Sequence, residues 1–193
     1  MSKNMNRRTV LAAGLAVAAS TIAPAAFAKP SKAEMQADVR KMAQDTLNRL
    51  YKTQPGAKAS IEGAAGYAVF SNFGMKIFFA GGGSGSGIAV NNREKKETFM
   101  KMIEIQAGLG IGVKKFRLVW VFENAADLDA FINSGYEIGG QATAAAKSGS
   151  KGESFAGAIS VKPGVWLYQL TDDGLAVELT AKGTKYYKDS ELN

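Results

Sequence analysis

Two stretches of this chain place glycine at every second position: Gly83, Gly85 and Gly87 within Gly81-Gly82-Gly83-Ser84-Gly85-Ser86-Gly87-Ile88, and Gly108, Gly110 and Gly112 just after Ala107. A period of two is the period of a β-strand, so each trio falls on one face of a strand and leaves it as bare backbone. Such a face serves a tightly curled sheet covered by aromatics, with Phe78 and Trp120 as candidates, or it lies open as a groove for a ring or an acyl tail. Nucleotide-binding glycine loops do not fit. A phosphate loop needs Gly-Lys-Ser/Thr and a helix, whereas Ile88-Ala89-Val90 continues as strand. A dinucleotide fingerprint also needs a helix, and Asn91-Asn92-Arg93-Glu94-Lys95-Lys96 has the composition of a polar turn.

The segments around the glycines have strand texture. Gly66-Tyr67-Ala68-Val69-Phe70 and Lys76-Ile77-Phe78-Phe79 read as short strands after Pro55-Gly56. In Phe116–Phe122, residues Phe116, Leu118, Trp120 and Phe122 share one face and Arg117, Val119 and Val121 the other. Val165–Thr171 and Leu175–Ala181 flank Asp172-Asp173-Gly174 as a hairpin, which sets Trp166, Tyr168 and Leu170 against Val177 and Leu179.

Helical spacing occurs twice. From Lys32 to Lys52, Met35, Val39, Met42, Leu47, Leu50 and Tyr51 form an apolar stripe, preceded by the capping box Ser31 and Glu34. The opposite face mixes Arg40, Lys41, Arg49 and Lys52 with Asp38 and Asp45, which favours a helix packed on the domain over one lying on a membrane. Later, Asn124 caps a short helix with Leu128, Phe131 and Ile132 on its apolar side, ended by Gly135. The expected fold is a single β-rich α+β domain, its antiparallel curved sheets sandwich-like or barrel-like, covered by the N-terminal amphipathic helix and the short mid-chain helix. The polar run between Gln141 and Phe155 reads as a loop.

Residues 1–28 stand apart. Lys3, Arg7 and Arg8 precede an apolar run from Val10 to Ala23 and then Ala26-Phe27-Ala28, the pattern of a cleavable export signal. The pair Arg7-Arg8 resembles a twin-arginine signal, and an ordinary secretory signal fits as well. The expected organisation is a signal at 1–28, a helix and linker at 29–60, and a binding domain at 61–193. Removing the three leader cations lowers the formal charge from +7 to +4. No later apolar run approaches the ~20 residues of a membrane span, so the expectation is a periplasmic or secreted protein, soluble or peripheral to a membrane.

The composition excludes much chemistry. With no cysteine and no histidine, the chain has no thiolate or imidazole for metal binding, nucleophilic attack or proton transfer. Asp127 and Asp129 suit a helix start, and Asp172 and Asp173 suit a turn, so neither pair forms a catalytic dyad. No metal, cofactor or enzyme activity is expected. Basic clusters are more informative: Arg93, Lys95 and Lys96 in the polar turn, Lys114, Lys115 and Arg117 after the second glycine segment, and Lys76 ahead of the first. Each has the charge to meet phosphate, although a solvated face explains such clusters too.

The order of the segments resembles the SYLF-domain family. Gly66–Phe70 is similar to an early strand of that family, Lys76–Gly87 to its glycine-rich signature, and Ala107–Gly112 to its second glycine segment. Trp120-Val121-Phe122, Ala126–Phe131, Gly139-Gly140-Gln141-Ala142, Tyr168 and Gly174-Leu175 follow in the family's order. The resemblance implies anionic-phospholipid binding without a reaction. Candidate contacts are then Lys76, Arg93, Lys95, Lys96, Lys114, Lys115 and Arg117, beside the glycines at 81, 82, 83, 85, 87, 108, 110 and 112. The alternative is a structural or protein-interaction module of the envelope; an exported chain leaves no place for nucleic acid.

Overall fold

The computed structural model describes residues 30–77, 80–107, 112–138, 155–172, 174–176 and 184–193. The leader, Phe78, the second glycine segment at 108–111, Gly139-Gly140-Gln141-Ala142 and the whole polar run up to residue 154, Asp173, and Val177 and Leu179 lie outside the described residues.

The first helix, α1 (Lys32–Thr53), starts at the expected capping box: the Ser31 hydroxyl accepts from the Glu34 N–H, and the Glu34 carboxylate accepts from the Ser31 N–H at 2.7 Å. Val39, Ala43, Leu47 and Leu50 form its buried stripe. A second helix, α2 (Gly56–Gly63), corrects the expectation of two helices and of a linker up to residue 60. It has glycine at both ends and buries only Ala57 and Ile61, one turn apart, which is too weak a periodic signal to register in the sequence.

The strands are β1 (Gly66–Ile77), β2 (Ala80–Asn91), β3 (Lys96–Ala107), β4 (Gly112–Phe122), β5 (Tyr136–Ile138), β6 (Ile159–Lys162), β7 (Val165–Thr171), β8 (Gly174–Ala176) and β9 (Thr184–Lys188). Between β4 and β5 lies α3 (Ala125–Asn133). The two short runs expected at 66–70 and 76–79 merge into the single strand β1, because the polar stretch between them pairs on both sides, Ser71 with Ser86 and Arg117. All pairings are antiparallel, in the order β5-β9-β3-β2-β1-β4-β7-β6, and β8 continues the outer edge of β7 beyond β6. The result is one curled, half-barrel sheet, the barrel-like of the two expected architectures.

Both faces of the sheet are covered. On one, Ala68, Phe70, Leu118, Trp120 and Phe122 pack with Leu128 and Phe131 of α3 and with Tyr186. On the other, Val69, Ile88, Val119, Val121 and Tyr168 pack under α1 and α2. The alternation read in Phe116–Phe122 therefore buries both sides of β4, with Trp120 and Val121 fully enclosed. Gly135, with φ at 73°, ends α3 as expected.

The alternate glycines of β2 fall on the α3 face. Gly87 lies opposite Phe70, whose ring occupies the place a Cβ at 87 would take, and a Cβ at Gly85 would meet Met102 Cγ at 2.7 Å. Covering is thus the observed use at these two positions, by Phe70 and Met102 rather than by Trp120, while Phe78 lies outside the described residues. Phe70 is the direct cross-strand neighbour, and Trp120 instead joins Phe122, Phe131, Tyr136 and Tyr186 in an aromatic cluster. Phe70 closes the glycine side at Gly87 and Met102 does so at Gly85, while Gly85 also borders the depression beside α1.

Candidate functional site

The register separates the basic clusters. Lys76 lies opposite Gly112, Lys114 opposite Gly74 and Lys115 opposite Phe73, so these three occupy neighbouring strands at the end of the sheet where β1 runs into β2. Arg93, Lys95 and Lys96 are exposed in and beside the β2–β3 turn at the other end. Ten residue steps along β2 separate Gly81, paired with Lys76, from Asn91, paired with Lys96, about 33 Å of strand. They are two patches and not one.

Arg117 belongs to neither. It is half-buried, and its Nη1 donates to the hydroxyl of Thr46 at 2.9 Å, holding α1 against β4. Its charge was legible in the sequence; its use in packing depends on where α1 crosses the sheet.

Depressions flank the helix α1 on its face of the sheet. Toward the Lys76 end a groove of about 520 Å³ lies between Val39 and Met42 of α1 and Ser71, Ser84, Ser86 and Ile103 of the sheet. This volume falls within the ~300–1,000 Å³ of small-ligand sites. Its serines offer small, hydroxyl-bearing positions, and Ile103, 45% exposed, is the one large hydrophobic residue left open among the described residues. Lys101, also on the lining, is committed elsewhere: its Nζ contacts Glu191 and Asp189, each at 3.1 Å, and these hydrogen bonds raise its pKa.

On the opposite side of α1, a polar cavity of about 430 Å³ is lined by residues of α1, α2, β1 and the β2–β3 turn, among them Tyr51, Lys58, Tyr67 and Lys95. Burial, then the neighbouring Tyr67 and Glu62, pushes the Tyr51 phenol up to about 12; burial and then Glu97 raise that of Tyr67. Neither depression was legible in the sequence, since each is assembled from segments far apart in the chain.

No described helix is long and apolar enough to cross a membrane. The described residues also hold no cluster of acids that would bind a metal. The described architecture is a curled sheet with helices on both faces and a ligand-sized groove beside α1. Residues 103–193 match the Ysc84 family model, described as a Las17-binding protein actin regulator, which is the SYLF domain that the sequence resembles. That family is one of binding domains. Among curated proteins, Beta cell expansion factor A of Aeromonas veronii is 33% identical over 159 residues, covering 82% of this chain. The chain spans 59% of the length of that relative.

Proposed function

We propose that this protein is an exported, non-catalytic module that binds anionic phospholipid at the periphery of a membrane of the bacterial envelope. The observation that carries the reading is the groove beside α1, where exposed Ile103, half-buried Met42 and the buried Val39 give an apolar lining toward the sheet end whose strands contain Lys76, Lys114 and Lys115. Apolar contact and attraction to anionic headgroups act together in peripheral binding. The family match supports a binding role, and the sequence of residues 1–28 supports export.

The test is co-flotation with phosphatidylcholine vesicles and with vesicles containing phosphatidylglycerol. Flotation is expected only with the anionic vesicles, weaker at high salt, and reduced by Lys76→Glu, Lys114→Glu and Lys115→Glu together. Equal behaviour toward both vesicle types would overturn the reading and favour an envelope protein as partner.

A further inference from the structure

The polar cavity on the other side of α1 has no part in the membrane reading, and its lining is chemically distinct. Lys58 and Lys95 line it together with Tyr51 and Tyr67, and on its α1 wall Gln44 Nε2 donates to Asn48 Oδ1 at 3.0 Å. Phenols are protonated near neutral pH and able to donate, and both shifts here are upward from the ordinary 10.0. Glu62 is the one carboxylate on this lining, and it reaches Lys58 only at 3.9 Å with both side chains mostly exposed. A donor-rich, net cationic cavity suits a ligand made of acceptors and negative charge.

The backbone at Lys95 points the same way. The turn is set by Asn91, whose Oδ1 accepts from the N–H groups of Arg93 and Glu94 at 3.0 Å, and it brings Lys95 to φ 55°. Lys95 is the one non-glycine residue with positive φ among the described residues. Glycine takes such a position without steric strain, so a lysine there keeps an ammonium at the cavity against the local backbone preference.

We infer that the cavity between α1, α2 and the β2–β3 turn is a binding site for a phosphate monoester, held by Lys58 and Lys95 with the Tyr51 and Tyr67 hydroxyls. The phosphoryl group is that of a small soluble ester or of a lipid headgroup, and the two sources are separable by experiment.

Amide NMR of the full protein would be followed during titration with glycerol 3-phosphate against sodium chloride at matched ionic strength. Flotation would be measured in parallel with phosphatidylcholine vesicles containing phosphatidic acid. Saturable shifts at residues 51, 58, 67 and 95 with glycerol 3-phosphate support a soluble ester. A response to phosphatidic acid alone, dependent on both lysines, supports a headgroup. In either arm Lys58→Gln and Lys95→Gly each weaken binding at least tenfold, and Lys95→Gly does so while keeping or raising the melting temperature, which separates ligand loss from unfolding. Shifts no greater than those in chloride together with no phosphatidic acid response, or variants that bind like the wild type, would overturn the site. Flotation with phosphatidylglycerol vesicles reports separately on the opposite end of the sheet and is expected to survive Lys95→Gly.

Discussion

The two faces of the sheet solve the same packing problem differently. On the α3 face, glycine on β2 makes room for rings: Phe70 seats over Gly87, and Trp120, Phe131 and Tyr186 close around it, with Phe70 and Tyr186 centroids 4.9 Å apart. The α1 face has a narrow helix laid across a wide sheet. Its stripe from Val39 to Leu50 fills the middle and leaves a depression on each side. Rings over glycine fill one face with interlocking side chains, whereas a single helix across strands leaves space suitable for ligands.

The contrast is sharpest in substitutions. Gly87→Ala should cost about 3 kcal/mol, at the upper end for overpacking, because the added methyl collides with the Phe70 ring and sits 2.6 Å from the Val69 carbonyl oxygen. Urea denaturation would measure it, and a loss below about 1 kcal/mol would show that the α3 face yields. Arg117→Ala should cost about 1 kcal/mol through the lost bond to Thr46, with the same urea titration as the check. The α1 face should then loosen first, seen as faster amide exchange in α1 than in α3.

Acid gives a smaller effect. The Glu34 carboxylate is held below its ordinary pKa of 4.5 by hydrogen bonds from the Ser31 backbone and then its hydroxyl. A depressed folded-state pKa means a contribution that is present above 4.5 and is lost as pH falls through the folded value. The first turn of α1 should therefore fray on acidification, read from the Cα shifts of residues 32–35. The smallest stability effect is expected at Ile103→Ser, within about 0.5 kcal/mol for an exposed site, while anionic-vesicle flotation falls. An unchanged flotation would detach the groove from membrane binding.

How much of this was legible depended on whether a feature is local. The α1 stripe and its Ser31–Glu34 box, the two-faced β4, and the Asn124 cap of α3 are set by neighbours within a few residues, and the sequence placed them. The helix α2 was lost because Ala57 and Ile61 are its only buried residues. Cross-strand facts were not readable: Phe70 rather than Trp120 over Gly87, Arg117 tied to Thr46, and the lysine clusters parted along the length of β2 all follow from register. The candidate lysines were legible as charge, but the groove and the cavity were not, since strand pairing and helix placement create them.

Hydrogen exchange of the protein with and without phosphatidylglycerol vesicles tests most directly whether the α1 face is the binding face. Protection is expected around Ser71, Ser84–Ser86 and Lys101–Ile103 together with the middle of α1, leaving α3 and residues 91–96 unchanged. Protection centred on α3, or none on the strands that form the groove, would contradict it.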